Sequence, residues 1–196
     1  FLQRTSKNVE RLTHLLNDLD QIAKLERGEI VLTKEAFVIQ DMIQEVFESK
    51  QTKADAKQIG CRLKKESEAP VIVFADREKI RQVLNNLVSN AIKYGKQEGE
   101  VVASVYRTDG KRILIEITDD GVGIPEAELP RVFERFYRTE VGRSMDLTGS
   151  GLGLAICKHI LEAHGQSIHV RSTEQVGTTF GFTLSGSESK SRPKTA

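Results

Sequence analysis

From Leu2 to Glu26 the apolar residues Leu2, Val9, Leu16 and Ala23 recur every seven positions, and Leu12 and Leu19 fall between them at the offset shared by Thr5 and Glu26. That spacing predicts one long helix with a single apolar seam. Gly28 stops it, and Arg27 stands in the last turn, where the helix dipole favours a cation. The span holds nothing to bury its own seam, which calls for a partner helix, a partner chain or the residues that follow. Ile30 to Leu32 and Phe37 to Ile39 read as short extended pieces. Ile39, Met42, Ile43, Val46 and Phe47 then take up helical spacing to about Lys57. Ile59, Cys61 and Leu63 alternate as a strand does; Val71 to Phe74 is a short apolar strand, and Asp76 is placed to cap the next helix.

In that helix Ile80, Val83, Leu84, Leu87, Val88, Ala91 and Ile92 form one broad apolar face, while Asn86, Asn90 and Lys93 line up on the other side. Val101, Ala103 and Val105 alternate, Asp109-Gly110 is a hairpin turn, and Ile113, Ile115 and Ile117 alternate back. The run ends abruptly in Asp119-Asp120-Gly121-Val122-Gly123-Ile124-Pro125. Pro125 to Arg138 reads as a short helical segment with Leu129, Val132, Phe133 and Phe136 inward, and Thr139 to Thr148, polar and aperiodic, as a mobile loop. Gly149-Ser150-Gly151-Leu152-Gly153-Leu154 opens a helix whose stripe of Leu154, Ile156, Cys157, Ile160 and Leu161 runs to His164-Gly165. Ile168 with Val170, and Phe180, Phe182 and Leu184, make a final strand pair joined through Gly177; the tail from Ser185 is polar and reads as disordered.

Composition narrows the classes. With 29 basic and 28 acidic residues in 196, the net charge of +1 gives no electrostatic case for nucleic acid or a membrane surface. No apolar run approaches the roughly 20 residues that cross a bilayer, and the first residues are not a signal peptide. Cys61 and Cys157 lie in apolar patterns with no C-x-x-C, which favours buried free thiols over a disulfide. The start within a helical pattern, without an initiator Met, suggests a piece of a longer protein.

Three stretches carry candidate chemistry. Asp119-x-Gly121-x-Gly123 sets one carboxylate beside a backbone bare of Cβ at two points, so a flat ligand could approach the main chain. An ionised carboxylate only accepts hydrogen bonds and would suit the exocyclic amine of adenine. A glycine turn closing a strand explains the same residues equally well. The strip of Asn86, Asn90 and Lys93 offers oxygen ligands for hydrated Mg²⁺ and a cation for phosphate. A solvated helix face is the ordinary reading of such a strip, but asparagine is a poor helix former and two of them ask for a reason. Glycines at the start of the last helix leave N–H groups free for an anion. Their spacing is not the dinucleotide fingerprint, and they follow a polar loop instead of a strand.

Taken in order, these motifs resemble the catalytic half of a bacterial sensor histidine kinase of the two-component systems, within the superfamily that includes gyrase, the Hsp90 chaperones and MutL. Asn86 to Tyr94 is similar to the family's N box and Asp119 to Ile124 to its first glycine box. Phe133 to Arg138 resembles its F box, and Gly149 to Leu154 its second glycine box. The resemblance implies an α+β fold, a two-layer α/β sandwich of the Bergerat type with helices on one face of a mixed sheet, preceded by one long helix. It divides the chain into 1–28, the second helix of a dimerisation and histidine-phosphotransfer hairpin, 29–185, the ATP-binding domain, and 186–196, the tail.

The resemblance also implies ATP and Mg²⁺ as cofactors. It gives Asp119, with Gly121, Gly123 and Ile124, to the adenine; Asn86 and Asn90 to the metal and phosphates; Lys93 and Tyr94 to the nucleotide; Gly149, Gly151, Leu152 and Gly153 to the phosphates and lid; and Arg138 and Arg143 to the terminal phosphate. Its implied partners are an acceptor-histidine helix of the same protein, a response regulator and a second copy in a homodimer, in the cytoplasmic part of a membrane-anchored sensor. The gyrase-type relatives carry a glutamate where Asn86 stands; an amide cannot activate water, which favours transfer over hydrolysis. The acceptor motif is absent: none of His14, His159, His164 and His169 is followed by its acid and arginine. Thr148 and Gly95 depart from the common pattern. A binding or dimerisation module whose nucleotide site is a relic and a gyrase-type hydrolase are the competing expectations.

Overall fold

The structure, a computed structural model, describes residues 13, 16–17, 19–20, 22–24, 27–28, 31–108, 111–145 and 149–187. In chain order they form β1 (Lys34–Val38), α1 (Ile39–Asp55), β2 (Gly60–Leu63), β3 (Ile72–Asp76), α2 (Arg77–Tyr94), β4 (Glu100–Arg107), β5 (Arg112–Asp119), a 3-10 helix (Glu126–Arg131), α3 (Glu140–Met145), α4 (Gly153–Ala163), β6 (Ile168–Thr173) and β7 (Gly177–Ser185). Five strands form one sheet in the order β2-β4-β5-β7-β6, with β2 and β4 parallel and the other pairs antiparallel. This is the mixed sheet expected. β1 and β3 pair separately as an antiparallel ribbon.

The sheet's alternation decides where the helices lie. Val101, Ala103, Val105, Ile113, Ile115, Ile117, Phe180, Phe182 and Leu184 point one way and are buried. They meet the apolar faces of the helices, where α2 packs between α1 and α4 and against β5. The α2 face read from the sequence, Ile80 to Ile92, is buried throughout. Asp76 caps that helix by accepting from the Lys79 amide at 3.1 Å. At the other end Lys57 Nζ donates to the carbonyls of Ile92, Lys93 and Gly95 at 3.1, 2.6 and 3.2 Å. Its ammonium sits where the helix dipole is negative. Lys57→Met should therefore cost about 1–2 kcal/mol in a urea titration, with little change in fold.

Several expectations are corrected. The first extended piece is absent at 31–33, and β1 starts at Lys34. Residues 186–187 are not a free tail: Gly186 bridges Val73, and the Ser187 amide donates to the Ile72 carbonyl at 3.0 Å, because β3 still has an edge to offer. Of the predicted seam, Leu2, Val9 and Leu12 lie outside the described residues; Leu16 and Leu19 are exposed, and Ile22 is the side chain that joins the core. Among the described residues the contact with the core is thus made by a residue outside the heptad, while of the seam Leu16 and Leu19 are exposed and Ala23 is half-buried. Asp109-Gly110 also lies outside the described residues, while Thr108 and Arg112 beside it pair across the hairpin. Cys157 is buried and free, and Cys61 is free but only half-buried.

Candidate nucleotide site

Between α2 and the start of α4 lies a cleft of about 250 Å³. Asn86, Asn90, Lys93 and Tyr94 reach it from α2; Asp119, Gly123 and Ile124 from the end of β5; Arg138 from the segment before α3; and Gly149, Gly151 and Gly153 from the start of α4. Three predicted residues do not line it. Leu152 is fully buried in the core, Gly121 is buried beside Tyr94, and Arg143 is exposed on α3. The α2 strip is half-buried, so it is not the solvated helix face of the ordinary reading.

Asp119 sits at the floor, with only 6% of its surface exposed. Its Oδ1 accepts from the Gly121 amide at 2.9 Å, and the Thr178 main chain opposite it across the β5–β7 pair also favours the charged form. Burial outweighs both and pushes the carboxyl from 3.8 up to about 6. A raised acid makes its stabilising contribution at low pH and loses it as pH rises through about 6. Binding runs the other way, because accepting from an amine requires the ionised form. We expect nucleotide affinity to weaken as pH falls below about 6, and calorimetric titration at pH 7.5 and 5.5 reads this directly. The neighbouring Asp120 faces away, accepting from the Glu100 amide at 3.1 Å and pairing with Lys96 at 3.2 Å.

The two glycines of the turn serve packing more than ligand approach. A Cβ on Gly121 would fall on the Tyr94 carbonyl, and one on Gly123, at φ +69°, on the Thr173 carbonyl. The turn is thus wedged between the end of α2 and the β6–β7 connection. The Val122 amide donates to Tyr94 at 3.2 Å, and the Val122 carbonyl accepts from Gln175 at 2.8 Å. Close approach does require bare backbone here, but what approaches is the protein's own main chain.

Phe136, expected inward, is 57% exposed at φ +63°. Its amide donates to the Gly151 carbonyl at 3.0 Å, and a Cβ at Gly151 would lie 2.7 Å from the Phe136 carbonyl carbon. That backbone contact turns the ring outward. Val132 is buried, and Phe133 meets Phe180 edge to face at 6.1 Å. The loop expected from Thr139 is in part the helix α3, whose buried Gly142 amide donates to Thr139 Oγ1 at 2.9 Å. Residues 146–148 of that loop lie outside the described residues. Arg138 donates to the carbonyls of Gly142 and Gly149 at 2.5 and 3.0 Å. Thr178, Phe180 and Tyr137 also line the cleft and escaped the sequence reading. Thr178 is 59 positions after Asp119 and reaches it only through strand register, where Asp119 pairs with Thr178.

Among the described residues no group of three or more His, Cys, Asp or Glu side chains could hold a metal ion. The donors facing the cleft from α2 are amides, hard oxygen ligands that suit Mg²⁺ shared with phosphate and water. The donor set therefore fits such an ion. No helix among the described residues is long and apolar enough to cross a membrane. Of the described histidines, His159 pairs with Glu162 at 3.2 Å, His164 is buried between Asp76 and Ile160, and His169 is an exposed strand residue. His14 lies outside the described residues.

Residues 75–188 match the family described as histidine kinase-, DNA gyrase B-, and HSP90-like ATPase. Similar proteins include the sensor histidine kinase WalK of Bacillus subtilis, 37% identical over 188 residues, covering 94% of this chain and 30% of WalK. The circadian input-output histidine kinase CikA of Synechococcus elongatus is 34% identical, covering 92% of this chain and 24% of CikA. The chain thus spans less than a third of the length of these relatives. Among solved structures, full-length ShkA in complex with AMPPNP superposes with TM-score 0.80 at 26% identity, over 95% of this chain and 40% of that one. Histidine kinase ThkA in complex with the response regulator TrrA gives 0.72 at 26% identity, over 95% and 50%.

Proposed function

The chain belongs to the histidine kinase-, DNA gyrase B-, and HSP90-like ATPase family, as an ATP-binding catalytic domain of the histidine kinase type, and from that membership we propose how its own residues work. It binds ATP with Mg²⁺ and presents the γ-phosphoryl group to a histidine elsewhere in the same protein, for relay to a response regulator. The observation that carries this reading is the meeting of Asp119, the α2 strip and the glycine start of α4 in one cleft, from three distant parts of the sequence.

Asp119 accepts from the adenine amine. Asn86 and Asn90 would hold Mg²⁺, which when bound neutralises phosphate charge; Lys93 adds a cation on the same helix, and Tyr94 and Ile124 flank the base. Arg138 stands where the lid meets the phosphates, and Arg143, exposed on α3, reaches them only if the lid moves. In transfer, the lone pair of an acceptor imidazole nitrogen forms the new bond to the γ-phosphorus. The bond to the β–γ bridging oxygen breaks, and ADP leaves with its electron pair. The protein mainly positions groups and stabilises charge. The amide at Asn86 has no basic oxygen to activate water, which supports a protein acceptor over hydrolysis. Residues 1–28 belong to a dimerising hairpin whose other helix carries the acceptor. The exposed Leu16 and Leu19 support that placement. The assembly is a homodimer, in the cytoplasmic part of a membrane-anchored sensor.

The test supplies γ-labelled ATP, Mg²⁺ and an acceptor-helix protein to this chain. Acid-labile label on the supplied histidine is expected, and its absence at every Mg²⁺ concentration would sink the proposal. Steady phosphate release at enzyme-like rates without an acceptor would favour a hydrolase instead.

A further inference from the structure

Polar contacts join α4 to α2 in antiparallel order. The Asp76 amide donates to His164 Nε2 at 3.0 Å, Cys157 Sγ lies 3.8 Å from the Val83 carbonyl, and Asn86 Nδ2 donates to the Gly153 carbonyl at 3.2 Å. An amide nitrogen only donates, and the Gly153 carbonyl at the start of α4 only accepts. Turned over, the amide would set its oxygen against the Gly153 carbonyl, two acceptors face to face, so its orientation is fixed by chemistry. Asn86 Oδ1 accepts no hydrogen bond among the described residues, on a side chain that lines the cleft. A Cβ at Gly153 would lie 3.6 Å from both Cγ and Oδ1 of Asn86, so the amide rests against the glycine turn itself.

We propose that Asn86 is a positioning link between α2 and the glycine-rich start of α4. Its nitrogen is committed to the Gly153 carbonyl, and its oxygen alone is presented to metal and phosphate. Seating of the glycine turn and binding of the metal-bound phosphates are thereby coupled through one side chain, which must be an amide. A carboxylate there would be a better magnesium ligand taken alone, yet would face the Gly153 carbonyl with an anion and no donor. The inference rests on the cleft being an ATP and Mg²⁺ site.

The experiment compares the unmutated chain, Asn86→Asp and Asn86→Ala by two measurements. The first is calorimetric titration with ATP in Mg²⁺ and in EDTA; the second is hydrogen exchange across residues 151–157 without nucleotide. A link predicts faster exchange of that turn in both variants, and at least a tenfold loss in Asn86→Asp of the affinity that Mg²⁺ adds. A simple ligand role predicts unchanged exchange and a kept or strengthened Mg²⁺ response in Asn86→Asp, and either result overturns the link. Should Asn86→Asp not fold, Asn86→Ala decides alone, unchanged exchange counting against. If the unmutated chain binds ATP without any Mg²⁺ effect, the functional reading fails, while the exchange measurement still decides the link.

Discussion

Asp119→Asn should weaken ATP binding by roughly one to three orders of magnitude and leave the fold as stable as before or more so. The native carboxylate is an acceptor with no competing donor; an amide in the same volume presents an NH₂ group to the adenine amine or gives up its hold on the Gly121 amide, 2.9 Å from Oδ1. Mispairing of one buried polar contact is worth about 2–4 kcal/mol, or roughly 30- to 1000-fold in affinity. Stability moves differently. A carboxyl raised from 3.8 to about 6 by burial is disfavoured in its charged form by about 3 kcal/mol at neutral pH, and asparagine carries no such charge. Lost hydrogen bonds offset part of this, leaving a net change of about 0–2 kcal/mol toward the folded state. The stability difference between Asp119→Asn and the unmutated chain should shrink as pH falls from 7 to 4, because the native side chain then takes up its proton. Thermal melts across that range with ATP titrations at pH 7.5 check both halves; retained binding would remove Asp119 from the adenine's recognition.

The second large effect is on folding. Gly123→Ala places a Cβ on the Thr173 carbonyl at a φ of +69°, and neither neighbour can retreat, since the turn is also pinned by Tyr94 and Gln175. Overlap with backbone and a left-handed conformation together should cost about 3–5 kcal/mol, a large share of the roughly 5–15 kcal/mol that holds a domain folded. Gly165→Ala separates the two causes. Its φ is +71°, but its Cβ would meet nothing within 4 Å, so about 1 kcal/mol is expected from conformation alone. Chemical denaturation of the two variants side by side gives the comparison; equal losses would show that the close approach at Gly123 does not matter.

The strands and helices of the sandwich could be read from the sequence because their periodicity is two-fold or near 3.6 and their buried faces are broad, as in α2 and β5. The cleft was legible where its residues sit in local runs: Asn86 to Tyr94 lie on one helix, and Asp119 and Gly123 in one turn. What escaped depends on pairing across distance. Thr178 reaches Asp119 through the register of β5 on β7, and Gly186 finds β3 because that strand has an unfilled edge; neither leaves a trace in local pattern. Phe136 looked like core because aromatic residues usually are. The close approach of its main chain to Gly151 decides otherwise. The glycines of the turn read from the sequence as a place for a ligand to approach, whereas the group that approaches is the Tyr94 or Thr173 carbonyl.

Cys157 has a consequence for chemical probing of this domain. Its sulfur is fully enclosed between α2 and α4, and its thiol is pushed up to about 12, so in the folded chain it presents almost no thiolate to an alkylating reagent. Cys61 is half-exposed and sits on β2. The two thiols are therefore clocks running at different speeds: maleimide marks Cys61 directly, though more slowly than a free thiol because burial pushes that thiol up too, and Cys157 only in the instants when the two helices part. The slow clock counts those openings without any engineered label, and a nucleotide that holds α2 and α4 together should slow it further.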